Sequence, residues 1–174
     1  MKYLTITIFF SLIIASCGKI EKLPPEPKIK FTSFEVFDTI DIYLGNSFKA
    51  GRLKFYFEDG DGDLGLQQPV FGSTADSLNL FFTFFRRKGG VLAPAPDDDP
   101  LKPGNFRIPY MERLGQNKIL KGTISVTFLY QFSSPNDTIK YEFFIKDRAG
   151  HESNSISTCE IALKDNSKCT DPGN

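Results

Sequence analysis

Between Arg52 and Glu58 the chain reads Arg-Leu-Lys-Phe-Tyr-Phe-Glu, with Leu53, Phe55 and Phe57 on one face and Arg52, Lys54 and Glu58 on the other. Successive side chains of a strand point to opposite faces, so this run predicts a strand with one buried face and one wet face. The same period recurs in Ile124, Val126, Phe128 and Tyr130, and again in Ile139, Tyr141, Phe143 and Ile145. Helical periodicity is nearly absent. Runs rich in Phe, Ile, Val, Thr and Tyr, bounded by turn residues, predict strands at Lys30 to Phe37, Thr39 to Leu44, Arg52 to Glu58, Leu78 to Arg86, Asn105 to Ile108, Thr123 to Phe132, Thr138 to Asp147 and Ser155 to Leu163. About seven or eight half-apolar strands in ~135 residues predict an all-β fold, an antiparallel β-sandwich of immunoglobulin-like or fibronectin-like type.

One segment breaks the alternation. Leu80-Phe81-Phe82-Thr83-Phe84-Phe85 is aromatic on both faces. A central strand whose second face is covered by a loop explains it, and so does an exposed binding stripe. The stretch from Arg87 to Gly104, with four prolines and the acidic run Asp97-Asp98-Asp99, reads as a long structureless connection with a solvated acidic tip.

The first sixteen residues hold one cation, Lys2, then an apolar run from Leu4 to Ile14, then Ala15 and Ser16 just before Cys17. That order is a secretory signal, and the run is shorter than the roughly 20 residues a membrane-spanning helix needs. Ile14-Ala15-Ser16-Cys17 resembles the lipobox of bacterial lipoproteins, in which the cysteine thiol receives a diacylglycerol and becomes the first mature residue. The expected organisation is a signal peptide over 1–16, lipidated Cys17 with a proline-rich tether over 17–28, and a β-sandwich over 29–174. Acyl chains at ~0.8 kcal/mol per buried CH₂ would anchor the chain to a membrane without spanning it. Gly18 and Lys19 follow Cys17 in place of the aspartate that resembles an inner-membrane retention signal, so the outer membrane is the expected address.

Losing Lys2 leaves 20 basic residues against 21 acidic ones, and a near-neutral chain with no basic patch gives no reason to expect nucleic acid. With Cys17 lipidated, the remaining cysteines of the three are Cys159 and Cys169. In an oxidising compartment they would form a disulfide, worth about 3 kcal/mol for a short loop. The alternative is two free thiols.

The sharpest local feature is Glu58-Asp59-Gly60-Asp61-Gly62-Asp63-Leu64-Gly65 at the end of a strand. Side chains two apart on an extended strand stand ~6.6 Å apart, and glycines let the backbone curl and bring the carboxylates together. Three oxygen donors with irregular geometry suit calcium, whereas zinc would want His or Cys. Without a cation, the charges repel by about 1 to 3 kcal/mol per close pair. The loop is not an EF-hand, since counting from Asp59 the twelfth position is Val70 and the sixth is Leu64. More ligands must come from elsewhere, and Asp147 or Asn154 could supply them. A tight Asp-Gly turn, with aspartates accepting from local amides, is the competing explanation.

Ile145 to Asn154 reads as a strand entering a polar turn, with His151, the only histidine, as part of that turn. It resembles the Asp-x-x-Gly-Asn-x-Ser turn before the final strand of bacterial immunoglobulin-like domains, with His151 in place of Asn. Together with the lipobox, the Phe57 to Gly65 segment and the strand start at Lys121-Gly122-Thr123-Ile124, the chain resembles small immunoglobulin-like lipoproteins of Bacteroidota. The resemblance implies address and fold and leaves activity open.

No Gly-x-Ser-x-Gly, His-Glu-x-x-His or glycine-rich phosphate loop is present. The expected function is a non-catalytic lipoprotein of the cell envelope, a tethered sandwich that binds or scaffolds a protein partner. The alternative is a surface glycan-binding module, with Phe81, Phe85 or Tyr110 as a platform in a chain that has no Trp. A hydrolase using Asp59, Asp61 or Asp63 around a metal is a third reading, without a companion base or nucleophile.

Overall fold

The computed structural model describes residues 22–43, 45–71, 78–112, 118–131, 133, 136–164 and 166–171. Among them there is no helix. Nine strands form: β1 (Lys28–Ile40), β2 (Ser47–Asp59), β3 (Leu80–Lys88), β4 (Val91–Pro94), β5 (Leu120–Tyr130), β6 (Thr138–Ile145), β7 (Ile156–Ser157), β8 (Ile161–Ala162) and β9 (Lys168–Thr170).

The pairings among these nine strands are all antiparallel, in two sheets. One has the order β5-β2-β1-β9 and the other β4-β3-β6-β7, with β8 also on β6. The chain leaves the first sheet after β2, returns for β5 and leaves again for β6. β1, β2, β5 and β9 thus face β3, β4, β6, β7 and β8 across a shared apolar core. The all-β antiparallel sandwich expected from the alternation is the fold.

The core lies between the sheets because the apolar sets on each strand face inward. Leu53, Phe55 and Phe57 of β2 are buried with Val126, Phe128 and Tyr130 of β5 and with Ile139, Tyr141, Phe143 and Ile145 of β6. Aromatic rings fill the centre. Phe128 stacks on Tyr141 at 4.8 Å, and Phe82 meets Phe128 edge-on at 5.3 Å. The two buried hydroxyls of Tyr130 and Tyr141 satisfy each other at 2.8 Å.

β1 departs from simple alternation. Ile29 and Phe31 face in at odd positions, Phe34 and Val36 at even ones, because the β1–β2 register slips between Phe31 and Ser33. A bulge adds one residue and moves every later side chain to the other face, which returns the apolar set to the core.

Several boundaries differ from the sequence reading. Thr39 and Ile40 complete β1 instead of opening a separate strand; 41–43 form the turn, and Leu44 lies outside the described residues. Asn105 to Ile108 makes only an isolated bridge, Phe106 to Leu80. β5 stops at Tyr130, and Phe132 lies outside the described residues. Ser155 to Leu163 splits into β7 and β8, and β9 closes the edge of β1. Cys159 and Cys169 are joined as a disulfide, their Cα atoms 6.5 Å apart.

The Arg87 to Gly104 connection is not structureless. β4 forms a hairpin with β3. Asp99 is not a solvated tip: its carboxylate is fully buried and takes two bonds from Arg86, at 3.0 and 3.1 Å. Arg86 also holds Asp137 at 2.7 Å. On the outer face of β3, Phe81 stacks on Phe144 at 5.2 Å and Phe85 lies beneath Lys140 at 5.8 Å, both rings half-buried.

Candidate metal centre

β2 delivers the Asp59 to Gly65 segment to one end of the sandwich, where the chain must turn out of the sheet. Asp59 is wholly buried, and its two oxygens accept from the amides of Gly62 at 3.3 Å and Leu64 at 2.6 Å. The turn those bonds close needs positive φ at Gly62, which has φ 68°. To this extent the Asp-Gly turn expected as the competing explanation is present, and Asp59 organises it.

The carboxylates nonetheless converge. One oxygen from each of Asp59, Asp61 and Asp63 lies within 4.8 Å of the others. Oxygens bound at about 2.4 Å to one calcium ion stand no farther than about 4.8 Å apart, so the three can share an ion. Oδ1 of Asp63 is buried and accepts no hydrogen bond, while Oδ2 accepts from the amide of Ala149 at 3.1 Å.

Burial pushes the Asp59 carboxyl up to about 6, helped by the hydrogen bond and charge of Asp61 and opposed by the Leu64 and Gly62 amides. Asp63 is likewise raised, first by burial, then by the charges of Asp147 and Asp61, against the pull of Arg148. The cluster thus favours positive charge, either a proton or a cation, at its centre.

Of the two ligands expected from elsewhere, Asp147 lies nearby and Asn154 does not join. Asp147 is buried and accepts from the His151 amide and from His151 Nδ1, both at 2.8 Å. That pairing raises the imidazole pKa, with smaller contributions from Glu26 and Asp61. Asn154 instead brackets Ile29, accepting its amide at 2.8 Å and donating to its carbonyl at 2.9 Å, and so fixes the start of β1.

Several neighbours escaped the sequence reading. Arg148 donates to the Gly65 carbonyl at 2.8 Å and sits over the Tyr110 ring at 5.0 Å, tying the loop to the turn after β6. A Cβ on Gly60 would collide with the carbonyl oxygens of Leu23 and Pro24. Pro27 is buried as well. The end of the segment read as a free tether is therefore packed on the acidic loop, and only Gly60 leaves room for it.

The chain matches no family model, and no curated protein or solved structure matches it. The fold and site define an antiparallel two-sheet sandwich with an acidic loop at one end.

Proposed function

We propose that this chain is a non-catalytic lipoprotein of the cell envelope, anchored through Cys17 in the outer membrane, whose sandwich binds or scaffolds a protein partner. The observation that supports it most is the contact of Leu23 and Pro24 with Gly60: the segment leading from Cys17 ends on the acidic loop. A divalent cation, calcium by donor type, would neutralise Asp59, Asp61 and Asp63 there and fasten the domain to its tether. The resemblance to Bacteroidota lipoproteins points to the same address.

Expression of the full chain in a Gram-negative host with a clickable palmitate analogue tests the anchor. The expected result is label and membrane recovery for the wild type and neither for Cys17→Ser. Unlabelled, soluble wild-type protein would refute the proposal.

One observation favours the glycan-binding alternative: the stacked Phe81 and Phe144 pair on the outer face of β3 and β6, beside Thr83 and Glu142. Binding on a glycan array that is lost in Phe81→Ala would establish it. An array without hits removes it.

A further inference from the structure

Five strands end the two sheets, and four of them are short: β9 has three residues, β7 and β8 have two each, and β4 has four and ends in Pro94. β5 is different. It has 11 residues, and β2 is its only strand partner among the described residues, in a register without a bulge. Natural edge strands are blunted by shortness, charge, proline or bulges, because a bare row of N–H and C=O groups templates another strand. From Gly122 to Tyr130 β5 reads Gly-Thr-Ile-Ser-Val-Thr-Phe-Leu-Tyr, with no charged residue and no proline. Beside it runs a mainly apolar groove of about 410 Å³, lined by Leu80, Phe106, Ile108 and Met111 and by one cation, Arg107, together with Ile124 and Val126 of β5 itself.

We infer that β5 is a homodimerisation edge, pairing antiparallel with β5 of a second copy of this chain about a two-fold axis at Ser125. The strand is its own complement in that register. Thr123 faces Thr127 of the second copy, Ile124 faces Val126, and no like charges meet. Cross-strand threonine and β-branched pairs are favourable, and an isologous contact closes at two copies. Thr123, Ser125 and Thr127 are exposed on the outer face. Ile124 and Val126 of the second copy continue the inner face and lie along the rim of the groove. A foreign strand of alternating apolar residues would need the same edge, but only a second copy guarantees the complementary sequence.

The test is the mass of the full chain in mild detergent, by sedimentation equilibrium, for wild type, Ser125→Glu, Ser125→Lys and an equimolar mixture of the two variants. In the monomer Ser125 pairs with Lys54 across β2, so a glutamate there suits the fold while setting two carboxylates against each other at the axis. The expected result is two chains for wild type, one for each variant, and two for the mixture. An unchanged melting curve of dilute Ser125→Glu confirms that its sheet is intact. A one-chain wild type at every concentration overturns the inference, as does a two-chain wild type whose mass survives Ser125→Glu. None of these outcomes depends on acylation of Cys17.

Discussion

Asp63 accepts the amide of Ala149 at 3.1 Å, and this bond, beside that of Arg148 to the Gly65 carbonyl, joins the loop after β2 to the turn after β6, one from each sheet. The acidic loop is therefore held from both layers of the sandwich. Both oxygens of Asp59 and one of Asp63 are held by backbone amides, which fixes these two carboxylates against their mutual repulsion.

Gly60→Ala separates the docked tether from the rest of the fold. The added methyl meets the Leu23 and Pro24 carbonyls, which are backbone and cannot swing aside. Overpacking of this kind costs about 1 to 3 kcal/mol. The expected outcome is a lower melting temperature and faster protease cleavage near Leu23, with the sheets otherwise native by circular dichroism.

Arg86→Met removes the cation that holds two carboxylates. Asp99 has a fully buried side chain and Asp137 is nearly so, and stranding a buried charge costs about 3 to 5 kcal/mol. Burial alone would raise Asp99, but the Leu101 amide and Arg86 outweigh it and hold its pKa below the usual carboxylate range. A depressed carboxylate adds stability above its unfolded pKa and loses it as pH falls through the folded value. Wild-type stability attributable to Asp99 should thus decline on acidification below about pH 4. Urea melts across pH should show that acid slope flattened in Arg86→Met.

Tyr141→Phe leaves the Tyr130 hydroxyl buried without its partner at 2.8 Å. An unsatisfied buried hydroxyl costs about 1 to 3 kcal/mol, whereas replacing both partners is often nearly neutral. Denaturant melts of Tyr130→Phe, Tyr141→Phe and the double variant should give a double variant more stable than the sum of the singles predicts.

How much was legible in the sequence follows from what each feature depends on. Period-two alternation in β2, β5 and β6 is local, so their inner faces were readable from residues 52 to 58, 124 to 130 and 139 to 145. The bulge in β1 was not, because it is defined by the partner strand's register. Asp59, Asp61 and Asp63 were readable because they adjoin; their neighbours Arg148, Ala149, Leu23 and Pro24 reach the loop only through sheet packing and tether docking. Asp99 looked like part of a solvated acidic run because its partner Arg86 stands 13 residues away. The spacing between Asp59 and Asp63 told of a glycine, but not that Gly60 is the seat of the tether.

The most direct test of the cation-fastened tether is a thermal melt of wild type and Asp61→Asn at neutral pH, in EDTA and in calcium. A ligand at 100 times its dissociation constant adds ~2.7 kcal/mol to the folded state, enough to move the midpoint of a domain this size by several degrees. Calcium should raise the wild-type midpoint and leave Asp61→Asn unmoved, and the rise should shrink below pH 6, where Asp59 holds a proton in place of the ion. Identical wild-type melts in EDTA and calcium would contradict the account and leave the loop as a turn organised by Asp59.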